Sequence, residues 1–284
     1  MNTADQLKEI VRQKYGEIAQ TDDQGQPAGG VAVDCGCGPS SCCGPSSLGP
    51  ANTDATYSIL MNDEYTTVNG YSAEADLGLG CGLPTQFAQI RPGDVVVDLG
   101  SGAGNDCFVA RAETGETSRV IGLDMTPGMI DRARKNAKAL GYTNVEFVYG
   151  DIEDMPLPDT LADVVVSNCV MNLVPDKAKA FAETYRILKS GGHFSISDIV
   201  LIGELPAGLQ QDAELYAGCV SGAIQQDDYL GIIAEAGFTN VVIQKQKPIN
   251  LPQELLLNYL TADEIKAYQQ DGRGIFSITV FAEK

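Results

Sequence analysis

The 284-residue sequence has a single histidine, half as many basic as acidic side chains, and no apolar run long enough to cross a bilayer. The missing runs exclude a membrane-spanning helix. The opening segment MNTADQLKEIVRQKYGEIA mixes charge into an amphipathic helical pattern and resembles no secretory leader. The expectation is a soluble, cytoplasmic protein with no membrane partner. The 19 Lys and Arg against 38 Asp and Glu give a formal net charge of −19, a field that repels phosphate backbones. Nucleic acid is therefore excluded as an expected partner. His193 sits in a Gly-Gly turn at the start of a strand pattern, which suits a structural role better than that of a general base.

What is present is a 44% hydrophobic composition, enough for one large core, and eight cysteines. A cytosolic chain of this size needs no disulfide framework, so the thiols point to soft ligation or redox chemistry. They are unevenly placed. Residues Met1 to Ala19 read as a short helix, and Thr21 to Pro50 is rich in Gly, Pro, Ser and Asp and carries Cys35, Cys37, Cys42 and Cys43. The CxC and CC spacings of these four depart from the usual structural zinc pattern. Cys81 lies in a second irregular stretch, YSAEADLGLGCGLP.

From Asp94 the pattern changes. The Val- and Ile-rich runs VVVDLG, RVIGLDM, VEFVYGD, ADVVVSNC and HFSISDIV alternate with helical segments, as in β-α-β units on a parallel sheet. TPGMIDRARKNAKALG predicts a helix with Thr126 as N-cap, Pro127 in the first turn and Gly141 as its stop; DKAKAFAETYRILKSGG predicts another from Asp176 to Gly191. DDYLGIIAEAGF is a third helix, and VVIQKQK and GIFSITVFAEK are two further strands. Right-handed crossovers put the ligand crevice at the carboxyl ends of the strands.

The first run closes as Asp98-Leu99-Gly100-Ser101-Gly102-Ala103-Gly104, a turn that lets backbone approach a ligand closely. Asn105 stands where a dinucleotide fingerprint wants a small residue. The second strand ends in Asp124, placed to accept from ribose hydroxyls, and the third in Asp151-Ile152, where a carboxylate can accept from an adenine amino group. Aspartates at three successive strand tips suit an adenosine ligand that carries positive charge and no phosphate.

In VVVDLGSGAG, GLDMTPGMI and GDIEDMPLP the sequence resembles the class I S-adenosylmethionine-dependent methyltransferases. The resemblance implies a Rossmann-like α/β fold, a seven-stranded mostly parallel sheet with an antiparallel last strand, and helices on both faces. It also implies cofactor contacts from the glycine turn (Asp98, Gly100, Ser101, Gly102) and from Asp124, Met125, Asp151, Ile152 and Asn168.

Cys169 follows the run ADVVVSN directly, which puts it at a strand's carboxyl end beside the crevice. Cys81 and Cys219, the latter in LYAGCVSGA, sit in segments able to fold over the same place. Three convergent thiolates suit a soft trivalent centre. With DLGLGCG, SNCVMNL and YAGCVSGA added to the cofactor motifs, the chain resembles the arsenite methyltransferases from the KYGEIA helix to GFTNV. That resemblance implies that Cys81, Cys169 and Cys219 hold As(III) as catalytic ligands, that Cys42 and Cys43 form an accessory thiol pair, and that a thiol reductant, thioredoxin or glutathione, serves as partner. Members often read GCGNP where this chain has Gly82-Leu83-Pro84. Cys107, on the helix after the glycine turn, is expected to be a packed side chain. The expected division is residues 1–91 as a helix and thiol-bearing loops covering the site, and 92–284 as the cofactor-binding domain with an acceptor-site insertion around 200–225. Two alternatives are a methyltransferase for a small carbon, oxygen or nitrogen acceptor of quinone-precursor type, and a non-catalytic thiolate protein that binds arsenic.

Overall fold

The computed structural model describes residues 3–20, 65–206, 208–209, 220 and 222–284, so that Cys35, Cys37, Cys42, Cys43 and Cys219 lie outside the described residues. The apolar runs become strands β1 (Val96–Leu99), β2 (Val120–Asp124), β3 (Val145–Tyr149), β4 (Ala162–Asn168) and β5 (Leu188–Ile202), followed by β6 (Thr239–Pro248) and β7 (Gly274–Glu283). They form one seven-stranded sheet in the order β3-β2-β1-β4-β5-β7-β6. Strands β1 to β5 pair in parallel, and β7 inserts antiparallel between β5 and β6. This is the class I methyltransferase arrangement that the sequence motifs imply. All four residues of β1 are buried, as expected of a parallel strand covered on both faces.

The helices are α1 (Ala4–Ala19), α2 (Pro84–Phe87), α3 (Asn105–Thr114), α4 (Pro127–Ala139), α5 (Lys177–Ile187), α6 (Gln226–Glu235), α7 (Gln253–Leu256) and α8 (Ala262–Gln270). Thr3 and Gln6 close a capping box at the start of α1. Thr126 takes the N-cap position of α4 by backbone conformation alone, since its side chain makes no cap hydrogen bond. Gly141, at φ +71°, lies just beyond the end of that helix. Asp176 caps α5 by accepting from Lys179 N at 2.9 Å.

The end of α5 departs from expectation. The helix stops at Ile187 and not at Gly191, because Leu188 is fully buried and pairs with Ala162 of β4, so that packing draws the chain into β5 early. Gly191, with φ +78°, falls in the irregular stretch before His193 resumes the pairing with β4.

Two large apolar clusters fill the sheet's faces. One holds Leu99, Ile121, Phe181, Phe194 and Tyr229; the other holds Phe108, Ile130, Phe147 and Val166. Full burial of each such side chain contributes about 1.5–3 kcal/mol. A third cluster, with Ile199, Leu209, Val220 and Ile275, gathers around the last turns of β5. Among the described residues no helix is long and apolar enough to cross a membrane.

Candidate functional site

A cleft of about 1080 Å³, counting its open mouth, lies at the carboxyl ends of the strands and reaches from Asp124 and Asp151 to Asn168 and Cys169. Its floor is the turn after β1. Gly100 and Ser101 donate to the Leu123 carbonyl at 2.7 and 3.0 Å, which curls the turn back over β2. Gly100 has φ +72°, and a Cβ there would lie 2.4 Å from Val170 Cγ2, so the position rejects any side chain.

Asp124 is braced from both sides, accepting from Gly102 N at 3.0 Å and from Thr126 N at 2.8 Å. Burial raises its pKa above the ordinary carboxylate value, although those two backbone donors oppose the shift. Asp151 uses one oxygen to accept from Glu153 N at 2.9 Å and the other to pair with Lys8 Nζ at 2.6 Å. Burial works against its ionisation, but the Lys8 ammonium and the Glu153 N–H outweigh this and hold its pKa below the usual value. Lys8 also pairs with Glu153 at 2.6 Å, so α1 is clamped to the rim, and Val11 and Tyr15 of the same helix line the cleft. Met125 and Ile152 line it as well.

Asp98 is buried beneath the glycine turn and accepts from Cys107 Sγ at 3.3 Å. Cys107 is thus the packed side chain expected, with one polar contact added. Burial, then repulsion from Asp106, pushes the Asp98 pKa well above its usual value. Asp106, at the start of α3, accepts from Tyr65 Oη at 2.8 and 2.9 Å. Its pKa rises to about 6 through burial, against the hydrogen bonds from Tyr65 and Asn168. Ser101 Oγ is buried on the cleft wall and has no hydrogen-bond partner among the described residues. An orphaned hydroxyl beside carboxylates at the tips of β1, β2 and β3 fits an adenosine ligand with positive charge, and a phosphate would be repelled.

At the other end, Cys169 leaves β4 with φ +59° and donates its N–H to Ser197 O at 2.8 Å. Its side chain borders the cleft. Cys81 lies behind Gly80 and Leu79. Its N–H donates to Asn168 Oδ1 at 3.0 Å and its carbonyl accepts from Ser277 Oγ at 2.5 Å. Both cysteines are 2% exposed and belong to the third apolar cluster, with Ile199, Leu209 and Val220. The hydroxyl of Tyr229 donates to Asp198 at 3.0 Å, and its pKa is raised by burial, by Asp198 and, further, by both sulfurs. Asn168 joins the two ends: its Nδ2 donates to Tyr65 Oη at 2.5 Å, Gly82 O at 2.9 Å and Asp106 Oδ2 at 3.3 Å.

The family resemblance implies a cofactor contact from Asn168, which borders the cleft with its amide engaged by protein on both sides. Cys81 and Cys169 are brought together; Cys219 is outside the described residues, and among those described no group of three His, Cys, Asp or Glu side chains is arranged to hold a metal ion. His193 is remote from the cleft, with Nε2 bonded to Ala88 O at 2.6 Å and its ring against Phe281.

The family model described as "Methyltransferase domain" matches residues 90–237, the stretch from β1 to α6 that holds the glycine turn and the strand tips of the cleft. The chain belongs to the methyltransferase-domain family. This methyltransferase is 42% identical over 240 residues to the arsenite methyltransferase of Halobacterium salinarum, covering 84% of this chain and 59% of that one. It is 38% identical over 152 residues to the human arsenite methyltransferase, covering 50% and 40% respectively. It spans roughly half the length of the curated relatives it matches. Among solved structures it resembles an arsenic(III) S-adenosylmethionine methyltransferase from Chlamydomonas reinhardtii, with TM-score 0.59 and 30% identity over 83% of this chain and 75% of that one.

Sequence reasoning misses Lys8, Tyr65, Asp106, Asp198 and Tyr229. Asp106 had a signal: an acidic residue in the first turn of a helix entered from a glycine turn. The others are joined to the site only by tertiary contacts, such as Lys8 to Asp151 and Tyr65 to Asp106.

Proposed function

We propose that this methyltransferase is an arsenite methyltransferase that uses S-adenosylmethionine as donor and holds trivalent arsenic on the thiolates of Cys81, Cys169 and Cys219. The observation that carries the reading is the meeting of Cys81 and Cys169, distant in sequence, in one buried apolar cluster that reaches the cleft at Cys169. Val220, the chain neighbour of Cys219, packs in that cluster and supports the third ligand. The relatives from H. salinarum and human carry the same activity in their names.

Bound in the cleft, S-adenosylmethionine supplies an electrophilic methyl group. Asp124 accepts from the ribose hydroxyls, the turn from Gly100 to Gly102 and the side chains of Ser101, Met125 and Ile152 form the nucleoside wall, and Asp151 faces the adenine edge. Each soft thiol displaces one hydroxyl of arsenite and gives its proton to it, releasing water, and the resulting thiolates would fix the trivalent centre with its lone pair toward the cleft. Attack by a lone pair needs no proton abstraction, in keeping with a remote His193. Holding both reactants in line supplies about 7–11 kcal/mol of the barrier reduction.

Transfer of a methyl cation leaves arsenic pentavalent. Two thiolates return it to the trivalent state by joining as a disulfide, and thioredoxin or glutathione then restores them; Cys42 and Cys43 serve as the accessory pair. Residues 1–91 cover the site and 92–284 form the catalytic domain, with the 200–225 insertion bearing Cys219, in a cytoplasmic protein. The test is mass spectrometry of products formed from arsenite, S-adenosylmethionine and a thiol. Methylarsenicals and S-adenosylhomocysteine are expected. Methylation of quinone-like phenols in place of arsenite, or arsenite binding without any methylated product, would refute the reading.

A further inference from the structure

Asp198 is a fully buried acid on β5 held by neutral donors: Ile199 N at 2.9 Å, Tyr229 Oη at 3.0 Å and the backbone N–H of Asn172. Lys177 acts on it through space, its ammonium donating at 3.1 Å to the carbonyls of Asn172 and Val174 and sharing its field with Glu153. These contacts place the acid behind all three thiol-bearing segments. Asn172 lies shortly after Cys169 in the chain. Gly222, shortly after Cys219, packs so closely on the Asn172 carbonyl that a Cβ would collide with it, and Ile224 O accepts from Leu201 N at 2.9 Å. Cys81 and Cys169 are both near enough to act electrostatically on the Tyr229 hydroxyl. A buried acid with neutral donors costs free energy that an apolar side chain would not, and a cation arriving beside it would recover that cost.

We infer that Asp198, with Tyr229 bonded to it, supplies the negative charge that faces arsenic as it turns positive during methyl transfer. This rests on the arsenite methyltransferase reading and adds to it a group outside the wall of the cleft. Before transfer the trithiolate centre is neutral and the positive charge sits on the donor's sulfonium. The arsenic lone pair forms the As–C bond, the C–S bond breaks with its electron pair passing to sulfur, and the positive charge moves from the cleft to the thiol cluster. A carboxylate behind that cluster interacts more strongly with the product side of the step than with the reactants, which is the condition for lowering a barrier. Asp198 touches no reacting atom. Its effect is that of a fixed charge acting across apolar surroundings, where screening is weak.

The test is single-turnover methyl transfer by the full chain, loaded with arsenite, mixed with S-adenosylmethionine and quenched for mass spectrometry of the methylarsenical. Asp198→Asn keeps the side-chain shape and removes the charge. It is expected to slow transfer about 10- to 100-fold, less than the loss of a donor that touches the developing charge, with arsenite stoichiometry and S-adenosylhomocysteine affinity within about 2-fold of the parent. Burial raises the Asp198 pKa to about 7, so the parent's rate should climb as pH passes that value and the variant's should stay level. Tyr229→Phe deletes a donor that favours the ionised acid and should shift the climb to higher pH. An undiminished rate in Asp198→Asn, a matching loss of arsenite binding, or a climb that persists in that variant, as proton loss from Lys177 would give, would each overturn the inference. Absence of any methylarsenical from the unaltered protein would instead remove the reading beneath it.

Discussion

The two ends of the cleft are built by different means. At the nucleoside end the groups come from the tips of consecutive parallel strands, and two of the carboxylates are locked by a backbone N–H two residues along the chain, as Thr126 N locks Asp124 and Glu153 N locks Asp151. At the acceptor end, Cys81 and Cys169 come from separate loops and sit in an apolar cluster assembled from β5, β7 and the segments that follow β5 and β6. The first end is local and polar; the second is long-range and greasy. On the proposed function, charge recognition belongs to the first end and soft-ligand recognition to the second.

The largest expected effect that breaks this comparison is at the acceptor end alone. Cys169→Ser should abolish arsenite methylation, while calorimetry with S-adenosylhomocysteine should show affinity within about 2-fold of the parent; retained turnover would remove Cys169 from the chemistry. Next is the nucleoside end. Asp124→Ala should cost about 1.5–3 kcal/mol of cofactor affinity, through the lost ribose hydrogen bonds to a charged group, with arsenite still bound when followed by mass spectrometry of the intact protein. No change in the calorimetric constant would mean that β2 does not carry the ribose.

Beneath the acceptor end, burial pushes Asp198 to about 7 despite donors from Ile199 N and Tyr229 Oη. A carboxyl with a raised folded-state pKa stays protonated in the native protein while the unfolded chain ionises above about pH 4, so its contribution to stability declines as pH rises from about 4 to 7 and is constant above. Asp198→Asn should therefore gain melting temperature relative to the parent across that window; a gap that does not widen with pH would show that Asp198 is ionised in the fold. The smallest effect concerns the rim. Lys8→Met removes both ion pairs of α1, and at about 0.2–1 kcal/mol for a partly exposed pair it should speed dissociation of S-adenosylhomocysteine only a few-fold in stopped flow. Added salt should do the same to the parent and nothing to the variant.

The sheet was legible because its signals are local: a buried parallel strand reads as a continuous apolar run, and Asp176 or Pro127 marks a helix start within a few residues. Gly191 misled for a related reason. A glycine after a helical pattern suits a helix stop, but a positive φ is needed equally in an irregular stretch of strand, and burial of Leu188 decided between them. The strand-tip aspartates were legible by position. Their partners were not, since Lys8 reaches Asp151, and Tyr65 and Asn168 reach Asp106, from distant parts of the chain with no periodic pattern to announce it.

One side chain belongs to neither half. The Asn168 amide grips the Cys81 backbone with its oxygen, and Tyr65, Gly82 and Asp106 with its nitrogen. On the proposed function, a shift of the Tyr65–Asp106 couple would reach the Cys81 loop through this amide, and the converse would hold with the same free energy, because linkage between two binding equilibria is reciprocal. On that reading donor and metalloid would not be independent guests: filling either chamber would retune the other through a single planar group.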